Sequence, residues 1–70
     1  MEKNVNKIVM LINEYEYRGH KIEIFQHPIY LDFEFVIKSI DGKVISASTH
    51  PYKNVENAET TAELTINAII

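Results

Sequence analysis

The stretch IYLDFEFVIK, residues 29–38, puts Ile29, Leu31, Phe33, Phe35 and Ile37 at every second position, with Tyr30, Asp32, Glu34 and Lys38 between them. Side chains alternate across a β-strand, so five apolar residues in step predict a strand with one apolar and one charged face. Such a strand does not stand alone. It needs hydrogen-bonded neighbours and a second layer over its apolar face.

The neighbours are legible on both sides. In HKIEIFQ, residues 20–26, Ile22 and Ile24 alternate with Lys21 and Glu23, and Phe25 falls on the outer face. His27 and Pro28 stop this strand, because proline lacks the ladder donor and biases the residue before it. After residue 38, Asp41 and Gly42 mark a turn into a third strand over about residues 43–49. A two-residue turn would pair Ile40 with Lys43 and set Phe35 and Ile37 against Ser48 and Ser46. A three-residue loop of Ile40, Asp41 and Gly42 sets Ile37 opposite Ile45 and Phe35 opposite Ala47, with Gly42 in a left-handed bulge position. Hydrophobic matching selects the second register.

Two segments read as the covering layer. Residues 4–15 space Val5, Ile8, Val9 and Ile12 as one helix face, with Asn4 as N-cap and Gly19 suited to the left-handed residue after the helix. NVENAETTAELTINAII, residues 54–70, carries the stripe Val55, Ala58, Ala62, Ile66 and Ile69. Asn54 is its N-cap, and Glu56 and Glu59 complement the positive end of its dipole. The expected fold is α+β, one domain over residues 1–70 in the order α-β-β-β-α, an antiparallel three-stranded sheet with both helices on one face.

A chain of 70 residues buries only about 60% of its unfolded surface, so its core is efficient or shared with a second copy. There is no cysteine, which removes disulfides, thiolate chemistry and the usual zinc frameworks. The N-terminal residues carry charges and asparagines and no small-residue cleavage site, so a cytoplasmic location without a membrane span is the expectation. Seven basic against ten acidic residues disfavour a general nucleic-acid binder, whose affinity comes from neutralised phosphates.

No catalytic, metal or cofactor site is expected. His20, His27 and His50 match no metal-ligand spacing, and two of them precede prolines. Ser46, Ser48 and Thr49 lie near His50, but adjacent strand residues point to opposite faces, so Ser48 and Thr49 do not both serve it. Asp32 and Glu34 read as the solvated side of the sheet, balanced by Lys21 and Lys38. Phe25, Tyr30, Val36 and Tyr52 are the candidate interface for a protein partner or a second copy, since outward aromatics with polar tips suit interfaces. The alternative is nucleic-acid binding through a strip of Arg18, Lys21, Lys38, Lys43 and Lys53. A third reading is an inhibitor of the phage or mobile-element type, whose acidic sheet face imitates a nucleic acid.

The α-β-β-β-α order, LINEY at the end of the first helix and the Ala-rich last helix resemble the double-stranded-RNA-binding domain over nearly the whole chain. In that family a lysine cluster at the start of the last helix grips phosphate. Here Val55, Glu56 and Glu59 stand in its place, with Lys53 the only basic residue nearby, and QHP, residues 26–28, is all that matches the family's loop. The resemblance therefore implies a member that has lost RNA binding and kept an interaction or dimerisation role. DGKVISAS with Tyr52 is also similar to the YegP-like family over residues 33–66, which implies a small bacterial α+β domain.

Overall fold

A computed structural model describes residues 9–70. They form β1 (Met10–Tyr17), β2 (His20–Gln26), β3 (Phe33–Ser39), β4 (Val44–Ala47) and α1 (Val55–Ile69). The strands make one antiparallel sheet in the order β1-β2-β3-β4, with α1 on one face. The class is still α+β, but the expected α-β-β-β-α order is overturned. The sheet has four strands, and the described residues hold a single helix.

The correction lies in the first segment. Residues 10–15, read as helix, are in β1, while Asn4, Val5 and Ile8 of that expected helix lie outside the described residues. Asn13, Tyr15 and Tyr17 alternate with Glu14 and Glu16, and this period of two prevails over the helical spacing further upstream. Tyr17 pairs directly with His20, leaving Arg18 and Gly19 as a two-residue turn. Both have positive φ, +51° and +79°, the conformation that matches the twist of a tight hairpin. Gly19 is left-handed as expected, but it closes a hairpin instead of a helix.

β2 pairs with β3 so that Ile22 meets Ile37 and Ile24 meets Phe35 on the helix side, while Glu23 meets Val36 and Phe25 meets Glu34 on the outer side. β3 starts at Phe33, not at Ile29. The His27 N–H donates to the Asp32 carbonyl at 3.0 Å and the Leu31 N–H to the His27 carbonyl at 2.9 Å, which folds residues 27–32 into a compact loop. Ile29 and Leu31 thereby leave the alternation that predicted them as strand.

The β3–β4 loop is the three-residue one, with Gly42 at φ +95° and the Ser39 N–H donating to the Lys43 carbonyl at 2.8 Å. The register beyond it is not the expected one. Lys38 meets Val44, but the ladder then shifts by one residue, so that Ile37 meets Ser46 and Val36 meets Ala47. The pairings Ile37–Ile45 and Phe35–Ala47 do not form. The physical reason is the position of α1, which packs on β2 and β3. Serine on the helix side of β4 loses little there, whereas isoleucine would lack a covering layer.

Asn54 caps α1 as expected, its side chain accepting the Asn57 N–H at 2.8 Å. Ala58, Ala62 and Ile66 are fully buried against Ile22, Ile24, Phe35 and Ile37. The alanines let the helix backbone approach the sheet, and each buried isoleucine contributes about 1.5–3 kcal/mol. Ile69, expected in the same stripe, is half exposed at the helix end. No helix among the described residues is long and apolar enough to cross a membrane.

Candidate interaction surface

The four residues expected to form one interface are divided into two pairs. Phe25 and Val36 share the outer face of the sheet, both half-buried. Tyr30 stands in the β2–β3 loop, 74% exposed. Tyr52 forms a backbone bridge with Phe33 through two 2.8 Å hydrogen bonds and stacks on Phe35 at 6.1 Å, so it belongs to the helix side. Tyr30 and Tyr52 meet only as walls of a shallow cleft of about 250 Å³, with Leu31, Asp32, Pro51 and Lys53.

Further exposed apolar residues stand in two groups at one end of the sheet. The pairings Met10–Gln26 and Leu11–Phe25 set the start of β1 beside the end of β2, which runs directly into the 27–32 loop. Met10, Leu11 and Ile12, on the strand at the sheet edge, are 51%, 49% and 39% exposed, and Val9 just before it is 42% exposed. Ile29, Tyr30 and Leu31 are 77%, 74% and 60% exposed at the loop tip. Sequence reasoning missed Val9–Ile12 as a surface because their spacing also fits a buried helix face. The available signal was five apolar residues in a row in the sequence, 8–12, which no single face of a strand absorbs.

The basic strip partly converges. Arg18, Lys21, Lys38 and Lys43 lie toward the end of the sheet that holds the two tight turns, and Lys53 lies at the other end. Each of the central lysines is engaged: Lys21 with Glu14 at 3.5 Å and Lys38 with Glu23 at 3.2 Å. Arg18 donates to the Asn67 side chain at 2.8 Å. With Glu14, Glu16, Glu23 and Asp41 around them, the four basic residues face four acidic ones, and this end carries no net positive field.

The helix side of β1 is polar. Asn13 donates to Glu59 at 2.7 Å, Tyr15 to Glu63 at 2.7 Å and Tyr17 to Asn67 at 3.2 Å. Burial pushes the Tyr15 phenol well above the ordinary tyrosine range, and the neighbouring carboxylates Glu63 and Glu59 act in the same direction. The Ser39 hydroxyl, bonded to Asp41, holds that carboxyl below the usual range.

The remaining candidates are dispersed. The Ser48 hydroxyl accepts the Phe35 N–H at 3.2 Å, and His50 Nδ1 donates to the Pro51 carbonyl at 3.2 Å. Asp32 sits in the loop and Glu34 on the outer face. Among the described residues no three His, Asp or Glu side chains gather as a metal site. Set beside known protein families, curated proteins and solved structures, the chain matches none of them.

Proposed function

We propose that this chain is a non-enzymatic protein-interaction domain that self-associates through the apolar end of its sheet. The observation that carries the reading is the exposed run Val9–Ile12 at the start of the edge strand β1, at the same end of the sheet as the exposed tip Ile29–Leu31. An edge strand offers unpaired backbone groups to another strand, and apolar side chains on that edge make the pairing favourable.

Charge selects a second copy in one arrangement. Two β1 strands running antiparallel about Leu11 bring Met10 opposite Ile12 and keep the Glu14 and Glu16 side chains of each copy away from those of the other. The same pairing about Tyr15 sets Glu14 against Glu16, a like-charge contact across the ladder. The ladder irregularity between Leu11 and Asn13 shortens the usable edge, so the dimer dissociates on dilution. A non-enzymatic reading is supported by the commitment of Ser48 and His50 to backbone partners, and by a cleft of about 250 Å³, below the ~300 Å³ of ordinary ligand sites.

Solution mass by light scattering over a concentration series tests the reading. The expected result is a monomer–dimer equilibrium, shifted to monomer by Leu11→Lys with an unchanged circular dichroism spectrum. A strict monomer at every concentration overturns it.

A further inference from the structure

The β2–β3 loop is built around one imidazole. Nδ1 of His27 accepts two backbone N–H groups, that of Ile29 at 3.2 Å and that of Tyr30 at 3.3 Å, and the ring packs against the Tyr30 ring at 4.8 Å. A neutral imidazole has one acceptor nitrogen. An imidazolium has none, because both nitrogens then carry hydrogen. These two bonds therefore require neutral His27 with its proton on Nε2.

The same loop holds what a free chain would not adopt. Leu31 has φ +61°, in the left-handed region that disfavours side chains other than those of Asn, Asp and His. Ile29, Tyr30 and Leu31 are turned to solvent, among the most exposed of the large apolar residues. The other bonds that fix the loop, from His27 N–H to the Asp32 carbonyl, from Leu31 N–H to the His27 carbonyl and from the Gln26 amide to the Leu31 carbonyl, do not satisfy the Ile29 and Tyr30 amides. Among the described residues the ring is the acceptor those two have.

We infer that the β2–β3 loop is a proton-operated switch: neutral His27 holds the Ile29–Tyr30–Leu31 tip in place, and a proton on Nδ1 releases it. Of the titratable and charged groups on the neighbouring elements, Tyr30 packs on the ring and Asp32 closes its own loop, Glu34 pairs with Phe25 on the outer face of β3, and Tyr52 and Lys53 line the cleft with Tyr30 and Asp32, with His50 beside Tyr52. None of them hydrogen-bonds the ring in place of the two amides. The sign follows: the ordered tip is present when the imidazole is neutral and is lost on acidification. Since the tip lies at the same end of the sheet as the start of β1, acidification also weakens the dimer, and this consequence rests on the self-association reading.

Nitrogen–proton NMR of the full chain at about pH 7.5 and about pH 5.5 tests the switch. The expected result is an Nε2-protonated His27 at the higher pH. On acidification the Ile29 and Tyr30 amide signals move, and their exchange protection falls at least about tenfold. His27→Asn supplies a side-chain oxygen before proline that accepts at both pH values, so its loop signals stay in place. An Nδ1-protonated ring at the higher pH, amides that keep their shifts and protection, or an Asn variant that responds as the parent does, each overturns the switch. Mass measurements at both pH values separate the two readings. Loop release in a chain that is monomeric throughout upholds the switch and removes self-association, whereas a pH-dependent dimer with an unmoved loop overturns the switch alone.

Discussion

The Tyr15 hydroxyl donates to the Glu63 carboxylate at 2.7 Å, the middle contact of a polar seam between β1 and α1. Asn13, Tyr15 and Tyr17 meet Glu59, Glu63 and Asn67 in order, so the helix runs parallel to the strand. The match is geometric. Two strand residues advance about 6.8 Å and four helix residues about 6 Å, so every second residue of one reaches every fourth of the other. The seam fixes α1 lengthwise, while the alanine stripe fixes its height above the sheet.

Tyr15→Phe keeps the ring against the core and removes the donor. The expected cost is about 1 kcal/mol in urea denaturation at neutral pH, with the m-value unchanged. A double-mutant cycle with Glu63→Ala should give a coupling of about 0.5–1.5 kcal/mol. Additive single costs would mean that the bond contributes nothing to holding the helix.

Tyr15 also makes stability depend on alkaline pH. Burial, then the bond to Glu63 and the charges of Glu63 and Glu59, raise the folded-state phenol above its unfolded value of about 10. The fold therefore favours the neutral phenol. Its contribution is complete below about pH 10 and is lost as pH rises through the folded value. Urea midpoints measured from about pH 8 to about pH 11 should fall less steeply in Tyr15→Phe than in the parent; equal slopes would remove Tyr15 as the cause.

The seam also explains which parts of the fold were legible beforehand. Segments where one periodicity dominates, HKIEIFQ and NVENAETTAELTINAI, became β2 and α1 within their expected bounds. The first segment carries two periodicities. Val5, Ile8, Val9 and Ile12 fit a helix, and Asn13, Tyr15 and Tyr17 fit a strand whose inward face is polar because it meets Glu59, Glu63 and Asn67. A strand with polar groups toward its helix lacks the usual apolar alternation, so its partner had to be known first. Ser46 on the helix side of β4 is the same case: its pairing with Ile37 looks wasteful until α1 is found over β2 and β3. The candidate surface divided for a related reason. Parity assigned Phe25 and Val36 correctly to the outer face, but Tyr30 left the strand when His27 folded the loop around its ring.

The close approach of α1 depends on Ala62, fully buried over the isoleucines of the sheet. Ala62→Leu adds three carbons where no space exists and should destabilise by about 1–3 kcal/mol. Ala68→Leu, on the exposed end of the same helix, is the control and should change stability by no more than about 0.5 kcal/mol. Equal effects would argue against a tight helix–sheet contact at Ala62.

Glu23 is only 9% exposed although it sits on the outer face, between Glu14 on one side and Val36 on the other. Its partner is Lys38 at 3.2 Å. Lys38→Met leaves a shielded carboxylate beside a second one and should cost about 1–3 kcal/mol at neutral pH. Adding Glu23→Gln to Lys38→Met should recover most of the loss at neutral pH. A deficit that Glu23→Gln does not recover would assign it to lost packing of the lysine stem.

Gly42 closes the β3–β4 loop at φ +95°, and a Cβ built on it meets nothing within 4 Å. The cost of Gly42→Ala is therefore backbone strain alone, about 1–2 kcal/mol. Gly42→Asn should cost less, since asparagine visits positive φ more readily. Hydrogen exchange at Ser39, whose N–H donates to the Lys43 carbonyl across the loop, locates the effect. The turn amide should lose protection in proportion to the strain. The shifted pairing of Ile37 with Ser46 should persist, because it is set by the position of α1 over β2 and β3 and not by the loop.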